Sequence, residues 1–269
     1  MRILILVFLG QFLITSAVSA ASCGNGPAGF TAWRDAFIAN AGRYGLNPRV
    51  VQSALQNVKY SKKVVRLDRN QKSFKLSFKQ FYAKRVNNAM IRRGQKLGQN
   101  YARLFNSIER KYGVPAPVIL AIWGLETNYG GYLGNMPVLQ SLATLAYDCR
   151  RSAFFTNELV SALIIVQRRD MSPAEMRGAW AGEIGQTQFL ASSYVRYAVD
   201  YDRDGRRDLI RSVPDVLAST ANYLAKKGWR RGQAWGPGTA NYRVLREWNK
   251  ASVYVQTISI MASKISGQA

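Results

Sequence analysis

From Pro115 to Gly131 the chain reads Pro-Ala-Pro-Val-Ile-Leu-Ala-Ile-Trp-Gly-Leu-Glu-Thr-Asn-Tyr-Gly-Gly. Two prolines at the start suit the first turn of a helix, where a missing N–H has no partner to lose. Every side of the predicted helix is apolar until Glu126. Such a helix has to be wrapped by other elements rather than lie on a surface. The Gly-rich turn that follows stops it abruptly.

The wrapping elements are legible as apolar stripes at spacings of three and four. Phe30, Trp33, Phe37, Ala41 and Tyr44 predict an amphipathic helix ending near Gly45. Asn47-Pro48 opens another, through Val51 and Leu55. Phe74, Phe78 and Phe81 make a third stripe, and a long helix is expected from Asn88 to Tyr112 with Leu97, Tyr101, Leu104, Phe105 and Ile108 inward. Further helices are predicted from Val138 to Tyr147, Ala153 to Val166, Val213 to Lys227, Tyr242 to Trp248 and Val253 to Ile265, with a capping signal for a short turn at Ser172–Glu175. Strand signals are weak throughout. The expected class is all-α or nearly so.

Glu126 is the anomaly on the central helix. Burial beside Trp123 and Leu125 would raise its pKa, and a carboxylic acid still protonated near neutral pH is what a general acid requires. The alternative is a helix-end glutamate facing solvent.

The N-terminus reads as a secretory signal: Arg2, an apolar run from Ile3 to about Val18, then Val18-Ser19-Ala20 before the expected cleavage. The chain is therefore expected to be exported and periplasmic. A lipid anchor at Cys23 is disfavoured because Ala20 stands where a lipoprotein signal usually has Leu. Cys23 and Cys149 are the only cysteines, and an even count in an exported chain favours a disulfide over a metal site or a reactive thiol. No histidine is present, which excludes Ser-His-Asp and Cys-His catalysis and His-ligated zinc. The formal net charge is +23, much of it between Lys59 and Arg103, where Asp68 is the only acid. In an exported protein this implies contact with wall polymers or an anionic membrane surface, not with nucleic acid; the alternative is a solvated basic face.

A dense segment runs from Ala179 to Tyr194: small residues, Gln186 and Gln188, then Phe189 and Ser192-Ser193-Tyr194. Small residues allow close backbone approach, and amides and tyrosines suit N-acetyl and hydroxyl groups of sugars. A tightly packed helix–loop junction would look the same.

Taken in order, Glu126-Thr127-Asn128-Tyr129-Gly130, Leu142 to Tyr147, Trp180-Ala181-Gly182, Gly185 to Phe189, Ser192-Ser193-Tyr194 and Ala221 to Leu224 resemble the lytic murein transglycosylases of the membrane-bound B type. The resemblance runs from about Phe30 to Ile265. It implies a lysozyme-like helical core, residues 113–269, with the helices of 21–112 packed around it after a signal at 1–20. It also implies cleavage of the β-1,4 MurNAc–GlcNAc bond of peptidoglycan glycan strands; no cofactor is expected to be required, and the chain is expected to be a monomer. Glu126 would serve as acid and then base, yielding a 1,6-anhydro end, where the usual glycosidase uses two carboxyl groups. Gln188, Tyr223, Asn249 and Tyr254 match positions that line the glycan groove or fix the catalytic carboxyl.

Three positions depart from the family pattern: Ala179 replaces a Ser seen in some members, Trp248 a frequent Tyr, and Glu183 a small apolar residue. Trp248 can stack on a sugar. Glu183 is a groove contact, a salt-bridge partner or a second carboxylate. In the last case a muramidase-type hydrolase becomes the alternative activity. A non-catalytic wall- or polyanion-binding protein is the third reading.

Asp200-Tyr201-Asp202-Arg203-Asp204-Gly205-Arg206-Arg207-Asp208 resembles the first half of an EF-hand loop. Asp200, Asp202 and Asp204 would ligate calcium by side chain and Arg206 by its carbonyl, with Asp208 and Asp215 as further acids. Arg211 stands where the bidentate Glu usually closes the loop.

Overall fold

The computed structural model describes residues 22–70 and 76–267. The signal segment, Phe74 and the last two residues lie outside them. Among the described residues the chain is helical apart from one two-stranded ladder. The helices are α1 (Phe30–Ala39), α2 (Pro48–Leu55), α3 (Lys62–Arg69), α4 (Phe78–Arg85), α5 (Asn88–Asn100), α6 (Ala102–Tyr112), α7 (Ala116–Thr127), α8 (Val138–Tyr147), α9 (Ser152–Gln167), α10 (Ala191–Tyr197), α11 (Val213–Lys226), α12 (Ala240–Trp248) and α13 (Ser252–Ser266).

Helix α7 is the central rod. Val118 through Leu125 are all buried. α13 lies along it, α5 and α6 pack on other sides, and α11 also reaches it. Polar side chains set where the outer helices begin. Asn47 accepts the N–H of Arg49 at the start of α2, Ser77 and Gln80 form a reciprocal capping box on α4, and Thr239 caps α12. Buried apolar residues from α1 to α13 form one continuous cluster.

Two boundaries differ from the periodicity. α1 stops at Ala39 and continues as a 3-10 turn over Ala41–Tyr44, closed by Gly45. The predicted Asn88–Tyr112 helix is two helices, broken at Tyr101 (φ −104°, ψ 21°). The halves have different partners: α5 packs on α7 and α13, whereas α6 packs on α11. Apolar spacing is continuous across the break because both halves face the core, so the stripe does not reveal it. Ser172 and Glu175 hydrogen-bond reciprocally and brace a short turn, as their capping signal predicts.

Cys23 and Cys149 are disulfide-bonded, tying the N-terminal segment to the α8–α9 turn. The same turn is held by ion pairs from Asp148 to Arg69 (2.7 Å), and from Asp68 to Arg150 (2.7 Å) and Arg151. The ladder pairs β1 (Met136–Pro137) antiparallel with β2 (Arg177–Gly178), Met136 opposite Gly178. Single bridges continue it from Gly178 to Ile184 and from Ile184 to Phe189. This short β region positions the 179–189 segment beside the end of α7.

Candidate active site

Helix α7 ends one residue after Glu126 in a turn that few sequences tolerate. Asn128 (φ 51°) and Tyr129 (φ 58°) are both left-handed, followed by Gly130 (φ 77°). Consecutive left-handed residues other than glycine cost energy and persist only where surrounding contacts impose them. Those contacts are present. Thr127 Oγ1 donates to the Gln186 carbonyl and accepts the Gly130 N–H, and Tyr129 donates its hydroxyl to the Met90 carbonyl at 2.9 Å. Gly130 is required by close approach: a Cβ there would lie 2.5 Å from Gln186 Oε1.

The neighbouring segment is built by similar crowding. A Cβ on Gly178 would meet the Glu183 carbonyl at 1.9 Å, so this crossing admits only glycine. Ile184 and Phe189 exchange both backbone hydrogen bonds, which folds residues 179–189 into a tight double loop. The two glutamines of this segment do different jobs. Gln186 is buried, accepting from Trp123 Nε1 at 2.9 Å and donating to the Ile210 carbonyl at 2.8 Å, so its amide is structural and not available to a sugar. Gln188, left-handed at φ 50°, donates to the Leu133 and Gly185 carbonyls and lines the cleft.

That cleft has a volume of about 590 Å³. Glu126, Glu183, Gln188, Tyr223, Trp248 and Asn249 all border it, so six sequence-predicted residues meet in one place. Phe189, Tyr223 and Trp248 form an edge-to-face cluster along it, with ring centroids 5.0 to 6.0 Å apart. The Tyr223 hydroxyl donates to the Glu247 carbonyl at 2.6 Å, so its ring and not its O–H is presented. Asn249 Oδ1 accepts the Ala251 N–H and thereby sets the entry into α13.

Glu126 is half-buried, and the pKa of its carboxyl is pushed up to about 7. Desolvation is the main cause. A hydrogen bond from Trp248, the nearby Tyr254 hydroxyl and the Arg85 charge oppose it, and Glu183 adds to it. Trp248 Nε1 donates to Glu126 Oε1 at 3.0 Å. Trp248 thus fixes the carboxyl as well as lining the cleft, a role its departure from Tyr concealed. Tyr254 is buried beside the same carboxyl, without a well-aligned hydrogen bond to any group. It sits behind Glu126 and does not border the cleft, so of its two sequence-level roles the structure favours the one at the carboxyl.

Glu183 borders the cleft, but its carboxyl turns back into its own loop, toward the N–H groups of Glu183 and Ala181. Its Oε2 is buried and has no hydrogen-bond partner. Burial raises its pKa; Glu158 adds to the effect and Arg151 counters it. No ion pair forms at Glu183 among the described residues. Arg151, Glu247 and Lys250 also border the cleft. Nothing in local sequence marks these three, or Arg85: Arg85 and Arg151 come from the ends of other helices, and Glu247 and Lys250 flank Trp248 and Asn249 without a motif of their own.

The acidic loop is only partly assembled. Asp200, Asp202 and Asp204 bring carboxylate oxygens within 4.8 Å of one another. Asp208 and Asp215 do not join them. Asp215 is fully buried and accepts the N–H groups of Tyr201 and Asp208, while Asp208 accepts those of Ile210 and Arg211. These two acids brace the loop from behind because buried N–H groups need acceptors. Arg206 donates its N–H to Asp204 at 2.8 Å. Three oxygen ligands from carboxylates match the preference of a hard cation, though the set is smaller than an EF-hand's.

Residues 29–240 match the family described as Transglycosylase SLT domain. Over 143 residues the chain is 36% identical to membrane-bound lytic murein transglycosylase B of Escherichia coli (strain K12), a match covering 53% of this chain and 39% of that relative. The chain thus spans well under half the length of that curated protein. The crystal structure of SltB3 from Pseudomonas aeruginosa in complex with NAG-NAM-pentapeptide aligns with a TM-score of 0.83 at 32% identity, over 88% of this chain and 80% of that one. The Escherichia coli lytic transglycosylase Slt35, solved in complex with calcium, shares the fold with a TM-score of 0.77 at 23% identity, over 87% and 93% of the two chains.

Proposed function

The chain belongs to the SLT-domain transglycosylases, and we propose that it cleaves the MurNAc–GlcNAc bond of peptidoglycan with Glu126 as the proton-transfer residue. The observation that carries this is a carboxyl that borders the cleft yet holds its proton to about pH 7. In the first step Glu126 gives its proton to the O4 of the leaving GlcNAc as the C1–O4 bond breaks. In the second, the muramyl O6 attacks C1 and its proton passes to Glu126, which ends as it began. The product is a 1,6-anhydro end, and no water is consumed. The substrate's own N-acetyl group can stabilise the positive charge at C1 between the steps. A relative at 32% identity, SltB3, has been crystallised with NAG-anhNAM-pentapeptide.

Trp248 holds the carboxyl in register with the cleft, and the Phe189–Tyr223–Trp248 cluster offers ring faces and edges to sugars. A hydrolytic reading would need Glu183 ionised to activate water. Its burial opposes ionisation, and its carboxyl turns into its own loop, so we favour the transglycosylase. A pure binding protein would have no use for the raised pKa of Glu126.

All cleft-lining residues follow position 112, so we assign catalysis to 113–269 and a supporting role to 21–112. We place the enzyme in the periplasm as a monomer. Cys23 spends its sulfur in a disulfide, which argues against a thioether lipid anchor there. No helix among the described residues is long and apolar enough to cross a membrane. Calcium, held by Asp200, Asp202 and Asp204, would stiffen the loop without entering the chemistry. Digestion of purified sacculi followed by mass spectrometry tests the proposal: anhydro-muropeptides are expected, and reducing muramic ends would replace it with the hydrolase.

A further inference from the structure

Outside the cleft, the arginines that touch carboxylates are mostly structural: Arg69, Arg150, Arg207 and Arg211 each pair with a named acid. Arg110, Lys111 and Arg203 do not. Among the described residues none of the three forms an ion pair, yet they converge on one concavity of about 500 Å³, shared with Ser107, Tyr201 and Asp200. We propose that this cavity, between the end of α6 and the loop after α10, is a binding site for a phosphate-type oxyanion carried by a surface polymer or lipid.

Several features preorganise the site. The Lys111 ammonium lies 5.2 Å from the centre of the Tyr112 ring and 5.3 Å from that of Tyr201, so two aromatic faces hold it in place. Ser107 Oγ and Tyr201 Oη are 2.8 Å apart. Two hydroxyls bonded to each other use one of their two protons, which leaves the other free to donate to an anion. Arg203 stands at φ 65°, and the Asp204 and Gly205 N–H bonds to Asp200 hold the turn around it. Those same bonds engage both oxygens of Asp200, the one acid in the lining, and direct it into its own loop.

Two guanidinium groups and an ammonium beside a hydroxyl donor suit a tetrahedral oxyanion, which accepts hydrogen bonds in several directions. A carboxylate, with two oxygens in one plane, would leave part of this donor set unused. The cavity shares no lining residue with the cleft. Occupancy here would hold the enzyme against a phosphate-bearing surface while leaving the Glu126 cleft open, and it would not depend on the glycan chemistry proposed above.

The test uses the full mature protein and three forms of it: wild type, Lys111→Gln/Arg203→Gln, and Lys62→Gln/Lys63→Gln. The last removes the same charge from exposed positions at the start of α3. Titration with inorganic phosphate, followed by NMR or calorimetry, is expected to saturate for wild type and the α3 variant. It should weaken about tenfold for the cavity variant, the loss of one or two charge-assisted hydrogen bonds. Co-sedimentation with phosphatidylglycerol and phosphatidylcholine vesicles separates the sources. Selective loss of phosphatidylglycerol binding in the cavity variant assigns the site to a lipid headgroup; loss of phosphate binding alone assigns it to a soluble or polymer-borne phosphate. Equal weakening by both double variants, or no saturation by phosphate in wild type, would overturn the site in favour of diffuse charge. A Glu126→Gln protein should bind phosphate as wild type does, so failure of the catalytic proposal and failure of this one are separately visible.

Discussion

Two carboxyl groups withdrawn from water show opposite solutions to the same problem. Asp68, 2% exposed, ends α3 facing the α8–α9 turn, where Arg150 and Arg151 reach it from the other side. Glu126 ends α7 facing an indole N–H and a tyrosine hydroxyl, with a cation only near enough to act through its charge. A guanidinium partner satisfies a buried carboxylate and locks two elements together. Neutral donors hold a carboxyl in place without cancelling the penalty of ionising it, so the proton stays to about pH 7. One arrangement is a joint, and the other suits the proton-transfer role proposed for Glu126. The partner's charge, more than the depth of burial, makes the difference.

The sharpest way to break this comparison is Glu126→Gln. It should lower the rate of muropeptide release by about 10³-fold or more, since the proposed mechanism assigns both proton transfers to this one group, while binding to sacculi is retained. A variant within tenfold of wild type would show that Glu126 is a second joint. Asp68→Ala should do the reverse. It leaves two arginines facing an emptied site and should cost about 2–3 kcal/mol of stability by chemical denaturation. That is less than a fully buried pair would cost, because the arginine side chains are 48% and 40% exposed. Activity per folded molecule should stay within a few-fold. A collapse in turnover without a loss of stability would refute the division of roles.

Proton linkage gives a subtler contrast. The Glu126 pKa is raised from 4.5 to about 7 on folding, so between those values the native state binds more protons than the unfolded one. Stability therefore falls as pH rises through this window, and below it the group contributes nothing. Glu126→Gln removes the loss. Its advantage over wild type should grow from near zero at pH 4 to on the order of 2–3 kcal/mol at pH 8, measured by thermal or urea unfolding. An advantage independent of pH would mean that the carboxyl is not held protonated. Wild-type activity should correspondingly decline on the alkaline side of about pH 7.

Trp248→Phe keeps an aromatic ring, though a smaller one, and deletes the N–H. Because that hydrogen bond lowers the Glu126 pKa, the alkaline limb of the rate profile should move upward, with a several-fold loss of rate from a carboxyl less well held. A downward shift would show that the contact stabilises the protonated acid instead. The smallest effect is expected at the acidic loop. Millimolar calcium should add about 1 kcal/mol of stability, as for a weak site, and Asp202→Asn should abolish the gain without changing turnover. No response to calcium would leave the three carboxylates as turn braces.

Much of this was legible in the sequence, and for identifiable reasons. The apolar run of α7, the stripe periodicities and the Asn47-Pro48, Val138 and Val213 helix starts are local signals, because helices are built from contacts three and four residues apart. Val138–Tyr147 appears with the predicted bounds. Glu126 stood out because an acid on an all-apolar helix is costly wherever it is placed. The ordered motifs from Glu126 to Leu224 were enough to indicate a family. The break at Tyr101 was not legible, since a stripe records which side faces the core and not which partner it meets.

Only the tertiary structure decided how each conspicuous side chain is used. Gln186 and Gln188 are two residues apart and chemically identical, yet one clamps Trp123 to the Ile210 carbonyl and the other faces the cleft. Asp215 is withdrawn from the acidic cluster to satisfy backbone N–H groups. Trp248, 122 residues beyond Glu126, supplies the N–H that holds its carboxyl. Hydrophobic pattern acts along the chain and can be read from it. Hydrogen-bond partners and desolvation arise between segments that meet only on folding, and at Glu126 these set the proton affinity on which the proposed chemistry depends.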